Sequence, residues 1–209
     1  EGIAHPVVIG PQRQIAQQLD ELGYGDDFVT IVDPMDFSQR EAYAEELFQL
    51  RQRKGLTRAE SRELLTHRHF LGPMMVRMGD ADGLIGGLVH KYADTVRPAL
   101  QTIGLDAKAR LVAGTYMMVF KSELMFFADP VINIDPSAEE LAEIALCTAE
   151  TARSFDVEPR VAMLSFSNFG SSRHPQADKV RQATKIVQQR APDLVVEGEM
   201  QADLALTPS

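Results

Sequence analysis

Apolar positions along the chain fall into short runs separated by polar, periodically patterned stretches. Val7, Val8 and Ile9 form a run closed by Gly10 and Pro11, which predicts a buried strand and a turn. A helix to about Leu22 is expected next. Residues 28–32 predict a second strand, ended by Asp33 and Pro34. Ser38-Gln39-Arg40-Glu41 has capping-box spacing, in which the serine oxygen accepts from a free helix N–H and the glutamate reaches back. Tyr43, Leu47 and Leu50 then recur at helical spacing. Thr57-Arg58-Ala59-Glu60 repeats the capping pattern and predicts a helix to about Met78. Residues 81–89 are apolar and punctuated by glycine, which predicts a buried strand that another element approaches closely. Residues 110–120 and 124–132 read as two strands joined by Lys121-Ser122-Glu123, a pair that can be antiparallel. Asp135-Pro136 is expected to start the best-marked helix, with Leu141, Ile144, Ala145, Thr148, Ala152 and Phe155 on one stripe and Glu139 and Glu140 in its first turn. Residues 160–166 predict a strand. Val180, Ala183, Thr184 and Val187 mark the face of a last helix, and Val195-Val196 opens a short final strand.

This alternation predicts an α/β fold with a mainly parallel sheet. The chain starts almost inside a strand and stops soon after Asp203-Leu204-Ala205-Leu206, so an incomplete fragment of a larger fold is expected.

Composition narrows the function classes. The 209 residues are 44% hydrophobic, enough for one large domain or two small ones. No run of eighteen apolar residues exists, so no transmembrane helix is expected. Residues 1–6 carry no basic or long apolar stretch, so no signal peptide is visible. Cys147 is the only cysteine, which excludes an intrachain disulfide and any multi-cysteine metal site, and fits a reducing cytoplasm. Thirty acidic residues against 21 basic give a net charge of −9, which argues against duplex nucleic acid or an anionic membrane as partner. A few local arginines can still bind an anionic small molecule.

No P-loop, Gly-x-Gly-x-x-Gly, His-Glu-x-x-His or Gly-x-Ser-x-Gly occurs. The foremost local candidate is the segment from Leu164 to Arg173, which leaves a predicted strand and enters a helix. Ser167, Asn168, Gly170 and Ser171 there are expected to expose backbone N–H groups to a phosphate or carboxylate, or else to form an ordinary polar turn. Arg51-Gln52-Arg53-Lys54-Gly55 is a cationic helix end with a glycine cap. Asp94, Thr95 and Arg97 are placed in a strand-to-helix loop, where Arg97 either clamps an anion or pairs with Asp94 at the surface. His67 and His69 face different ways at two-residue spacing, which disfavours a metal pair. His90 reads as a packed or turn histidine. Asp129, Asn133 and Asp135 read as a cation site or plain turn chemistry. Glu197, Glu199 and Asp203 read as paired carboxylates or, more simply, a solvated edge. Cys147, Met74, Met75, Met117 and Met118 read as packing residues.

Several segments together resemble the phosphate acetyl/butyryl transferase family: Arg51-Gln52-Arg53-Lys54-Gly55, Met74 through Gly83, Asp94-Thr95-Val96-Arg97-Pro98, Phe127-Ala128-Asp129, Ala138 through Ala145, Val161 through Ser167, and Ala191 through Glu199. The likeness runs in order over essentially the whole chain. Within the family, Ser167-Asn168-Phe169-Gly170-Ser171, Pro159-Arg160-Val161-Ala162 and Gly198 through Asp203 look most like the phosphotransacetylase-like C-terminal domain of bacterial NADP-dependent malic enzymes.

The resemblance implies a two-lobed α/β/α, isocitrate-dehydrogenase-like fold, here incomplete, with mainly parallel sheets and one antiparallel strand pair. It divides the chain into part of a first lobe, 1–106, and most of a second, 107–209. It implies acetyl-CoA in the cleft between lobes, with Arg51, Arg97, Asp94 and Thr95 in the acetyl-CoA or phosphate site beside Ser167, Asn168, Gly170 and Ser171. Phe169 stands where transacetylases carry lysine, Lys91-Tyr92-Ala93 where they carry serines, and the family's catalytic residues fall in a C-terminal segment beyond this chain. The expectation from this pattern is an acetyl-CoA-binding regulatory domain that is itself non-catalytic. Its parent would be a malic enzyme using NADP and a divalent metal. The alternative is a phosphate acetyltransferase, and a third is a structural oligomerisation domain. A cytoplasmic homo-oligomer is implied throughout.

Overall fold

The chain alternates strand and helix within two units, Glu1–Gly104 and Leu105–Ser209. The computed structural model describes residues 2–25, 28–88, 90–106, 109–121 and 123–207. It is a mixed α/β structure with parallel and antiparallel strand pairs.

In the first unit, β1 (Val7–Ile9) pairs in parallel with β2 (Thr30–Val32) through α1 (Gln12–Glu21). β2 is shorter than the expected 28–32, because Phe28 stacks on Tyr24 at 4.8 Å at the surface instead of joining the ladder. α2 (Arg40–Arg51) starts one residue later than the capping pattern implied. Ser38 lies in a turn and caps nothing; Phe37 instead packs edge-on against Tyr43 at 5.0 Å and fixes the entry of the chain. The helix expected over 57–78 is two helices, α3 (Arg58–Leu64) and α4 (Arg68–Met78), parted by an extended His67. Leu65 and Leu71 are six residues apart, hence about 120° apart around one continuous helix; the break lets both reach one core with Tyr43, Leu47 and Met74. Each such fully buried leucine stabilises by about 1.5–3 kcal/mol.

The strand expected over 81–89 does not form. Residues 81–88 and 90 are irregular and largely exposed, and Val89 lies outside the described residues. Three glycines there provide neither β-propensity nor side chains to pack. The close approach is nevertheless real: Leu84 packs so near Gly72 of α4 that a Cβ at Gly72 would lie 2.9 Å from it. α5 (Tyr92–Thr102) follows.

In the second unit β3 (Thr115–Val119) and β4 (Leu124–Ala128) form an antiparallel pair, shorter than the runs 110–120 and 124–132 suggested. β4 stops because Asp129 folds the chain, its carboxylate accepting from the N–H groups of Val131, Ile132 and Asn133. This is turn chemistry and not a cation site. Met117 and Met118 are half exposed, against the packing reading, because among the described residues β3 pairs with β4 alone. Met74 and Met75 are buried.

α6 (Ala138–Ser154) begins after Pro136, at a capping box in which Ser137 accepts from the Glu140 N–H and Glu140 from the Ser137 N–H. Its small stripe, Ala138, Ala142, Ala145 and Ala149, packs with Ala183 and Val187 of α7 (Pro175–Arg190). Phe155 lies past the helix end, half exposed. β5 (Arg160–Leu164) pairs in parallel with β6 (Val195–Met200), and the register shifts after Met163. Gly198 permits that pairing at φ +150°, where a Cβ would lie 2.6 Å from the Met163 carbonyl oxygen. α8 (Ala202–Leu206) ends the described residues apart from Thr207. Among them, no helix is long and apolar enough to cross a membrane.

Candidate functional site

Two groups of candidate residues emerge, one in each unit. In the first unit, Arg51 closes α2, a short 3-10 turn (Gln52–Lys54) follows, and Gly55 at φ +91° reverses the chain. The cationic run is thus a capped helix end, but it also borders a depression of about 250 Å³ lined by Arg51, Lys54, Glu60, Phe70 and Gln101. Asp94, Thr95 and Arg97 do not lie in a loop. They occupy the first two turns of α5, because the glycine-rich stretch before them makes no strand to turn from. Asp94, Arg97 and Gln101 follow i, i+3, i+7 spacing and so share one helix face. The surface pair between Asp94 and Arg97 is absent, and neither the Arg97 nor the Arg51 guanidinium has a hydrogen-bond or ion-pair partner among the described residues. Thr95 Oγ1 is buried without a hydrogen-bond partner, next to Gly86 and Gly87.

Histidines gather beside this helix. His69 and His90 meet edge-on at 4.2 Å, and His90 Nε2 lies 2.9 Å from Arg68. Burial, then the neighbouring His90 and Arg68, hold His69 below its ordinary pKa. Among the described residues no three His, Cys, Asp or Glu side chains are placed to hold a metal.

In the second unit, residues 165–172 connect β5 towards α7. The expectation that Ser167, Asn168, Gly170 and Ser171 expose backbone N–H groups is overturned, because every N–H from Ser167 to Ser172 already has a partner. Asn168 donates to Ser171 Oγ, Phe169 to the Glu199 carbonyl, Gly170 to Glu199 Oε1, Ser171 to the Asn168 carbonyl, Ser172 to Ser167 Oγ, and Ser167 weakly to Ser165 Oγ at 3.4 Å. Side chains tie the loop further: Gln201 N–H donates to Asn168 Oδ1, Asn168 Nδ2 to Gln201 Oε1, and Gln201 Nε2 to the Phe166 carbonyl. The hub is Glu199, reading as a solvated edge in the sequence but fully buried here. Its Oε1 accepts from Ser167 Oγ, Gly170 N–H and Arg181, each at 2.8 Å. Its Oε2 is buried without a partner. Burial pushes the carboxyl up, but the Gly170 and Ser167 hydrogen bonds and the Arg181 charge outweigh it and hold the group below the usual carboxylate range. Arg181 also pairs with Asp178.

Ser167 is itself 2% exposed. Side chains left at the surface of the loop are Phe166, Phe169, Ser171 and Arg173, with Phe169 at φ +45°. Sequence reasoning missed Glu199 and Arg181 as partners of this loop. The available signal was Gly198, a close-approach residue directly before Glu199 at the end of a predicted strand. Cys147 is partly buried, and burial followed by Glu143 and Glu150 raises its thiol pKa, in keeping with a packing role.

A family model described as "Phosphate acetyl/butaryl transferase" matches residues 1–209. The chain is 41% identical over 207 residues to a phosphate acetyltransferase of Bacillus subtilis, covering 99% of this chain and 64% of that protein. It is 41% identical over 209 residues to the phosphate acetyltransferase of Escherichia coli, covering 98% of this chain and 29% of that one. A crystal structure of a phosphotransacetylase from Streptococcus pyogenes superimposes with a TM-score of 0.90 at 41% identity, covering 99% of this chain and 63% of that one. The chain therefore spans less than two thirds of these relatives. These likenesses overturn the expectation of a malic enzyme regulatory domain, and with it NADP and oxidoreductase chemistry: each relative is a phosphate acetyltransferase in its own right.

Proposed function

The chain belongs to the phosphate acetyl/butyryl transferase family, and from that premise we propose that it serves a phosphate acetyltransferase, moving an acetyl group between CoA sulfur and phosphate. The observation that carries this reading is the 41% identity, over nearly the whole chain, to proteins named for that activity. In the direction of acetyl phosphate, a phosphate oxygen attacks the thioester carbonyl, the C–S bond breaks, and CoA leaves as the thiolate, which takes up a proton.

Both substrates are anions, and Arg51 and Arg97, which are among several arginines without a hydrogen-bond or ion-pair partner among the described residues, suit them. A guanidinium fork can grip phosphate bidentately, and one left unpaired in the apo protein need not break a salt bridge to do so. Thr95 has a buried hydroxyl with bonding capacity to spare, and Asp94 shares the Arg97 face. The loop carrying Ser167, Asn168, Gly170 and Ser171 plays a different part. With its N–H groups spent within the protein, it suits the uncharged arm of acetyl-CoA, met by the exposed Phe169, Gly170 and Ser171. The same proposal includes a cytoplasmic enzyme, and a homo-oligomeric one, since exposed Met117, Met118 and Val119 on a strand that pairs on one side only among the described residues favour a covering partner.

The test is release of CoA thiol from acetyl-CoA on addition of phosphate, by the enzyme at its natural length. Phosphate-dependent release, cut by Arg51→Ala and by Arg97→Ala, is expected; no release above the enzyme-free control removes the reading. Light scattering that returns a monomer mass at micromolar concentration removes the oligomer.

A further inference from the structure

The loop after β5 owes its shape to one carboxylate that lies outside every segment assigned a substrate. Glu199 is fully buried on β6, yet a single oxygen of it gathers a hydroxyl from Ser167, an N–H from Gly170 and a guanidinium from Arg181. Its carbonyl takes the Phe169 N–H. Ser167, held this way, accepts from Ser172 N–H and contacts Ser171 Oγ at 3.1 Å. Residues 167, 169, 170 and 172 therefore depend on Glu199 directly or through one hydroxyl. The charges facing it are Arg181 and Asp178 of α7, while Glu197 points to the exposed side of β6. A buried charge of this kind is retained only when several donors compensate its desolvation. Of the donors that other residues supply, all except Arg181 come from the loop, so the loop conformation and the ionised carboxylate stabilise each other.

We propose that Glu199 is a positioning residue for acetyl-CoA: it touches no substrate, and it holds the Ser167–Ser172 loop in the one conformation that presents Phe169, Gly170 and Ser171 to the uncharged arm of the coenzyme. This inference rests on the transferase reading above. It separates two kinds of recognition, because that of phosphate is assigned to Arg51 and Arg97 and does not depend on Glu199.

The experiment compares wild type, Glu199→Gln and Ser167→Ala in the enzyme at its natural length. Steady-state kinetics, thermal melting and amide hydrogen exchange are measured for each. Glutamine keeps the size and one acceptor oxygen but loses the charge that Arg181 and the Gly170 N–H meet. A charge-assisted hydrogen bond of this kind corresponds to a change of roughly tenfold. We expect KM for acetyl-CoA to rise about tenfold in Glu199→Gln, KM for phosphate and kcat to change less than about threefold, and exchange at Gly170 and Ser172 to quicken while α5 stays protected. Ser167→Ala, which keeps the Glu199–Arg181 pair, should move the same readouts in the same direction by less. Unmoved KM for acetyl-CoA with active wild type overturns the inference and leaves the transferase reading intact. Exchange that quickens throughout the unit, with a large fall in melting temperature and no selective KM change, overturns it in favour of a purely structural carboxylate. If Glu199→Gln does not fold, Ser167→Ala decides: a selective KM rise supports the inference and its absence overturns it. Wild type without phosphate-dependent turnover overturns the transferase reading, which the other outcomes leave standing.

Discussion

The α5 face of the first unit and the loop after β5 of the second solve different problems with the same polar residue types. On α5, Arg97 is exposed, and neither it nor Thr95 Oγ1 has a hydrogen-bond or ion-pair partner among the described residues. After β5, every N–H of residues 167–172 is satisfied within the protein, and a buried glutamate anchors the set. The first arrangement leaves binding capacity free for a ligand. The second spends that capacity on shape. Polar residues near a strand end or helix start therefore do not share one role, and counting free donors tells the two apart.

The sharpest way to break the contrast is at Gly198. Gly198→Ala forces a Cβ to 2.6 Å from the Met163 carbonyl at a φ that L-residues avoid. A loss of about 2–4 kcal/mol of stability is expected, read by urea unfolding. A loss under about 0.5 kcal/mol, the range of ordinary surface substitutions, would show that the β5–β6 rail yields, and that the loop is not rigidly held.

Next in size is Arg97→Ala. Losing one charge-assisted contact should weaken binding of acetyl-CoA or phosphate by about 1.5–3 kcal/mol, ten- to hundredfold, as measured by isothermal titration. Melting temperature should hardly change, because Arg97 has no hydrogen-bond or ion-pair partner to lose among the described residues. A large fall in melting temperature with unchanged affinity would place Arg97 among structural residues, erasing its difference from Glu199.

The two capping boxes provide an internal control, one in each unit. Thr57→Ala and Ser137→Ala should each cost about 1 kcal/mol, since both hydroxyls accept from the N–H three residues on. Equal losses in chemical denaturation would show that local helix chemistry is alike in the two units and that their contrast resides in the sites.

The smallest effect concerns acid. Glu199 is held below the ordinary carboxylate range, so its folded form binds a proton less readily than the unfolded chain. The stability it contributes is fully present above the unfolded value, near 4.3, and is lost as pH falls through the lower folded value. Between pH 7 and 5 the change should be only about 0.1 kcal/mol from this group, followed by a steeper loss below pH 4.3 that Glu199→Gln lacks. Amide exchange of Gly170 across that range checks it; an identical acid response in the variant would remove Glu199 as its source.

Much of the fold was legible in the chain. The runs at Val7–Ile9, 160–166 and Val195-Val196, and the stripe from Leu141 to Phe155, announce their elements because helix and strand periods are local properties. The Thr57 capping box formed as spelled, whereas the Ser38 pattern did not, since the Phe37–Tyr43 contact decided where that helix begins. Arg51 and Arg97 became candidates through family likeness, yet the α5 setting of Arg97 was hidden behind a glycine-rich apolar stretch that looked like a strand. Malic enzyme likeness was read from three short segments, one of them the loop carrying Phe169, where substitutions mislead readily because loops tolerate them.

What the sequence by itself determined is the alternating α/β order, most of its helices and strands, and membership in a transferase family, all written in periodicity, caps and ordered motifs. What only the tertiary structure decided is which polar groups are free. Ser167 and Glu199 stand 32 positions apart, and neither carries a local mark of the other. Parallel pairing of β5 with β6, admitted by Gly198, brings the two strand ends side by side and buries the carboxylate against the loop. Burial then changes the chemistry: a glutamate that a solvated strand edge would leave to water must there collect every donor within reach.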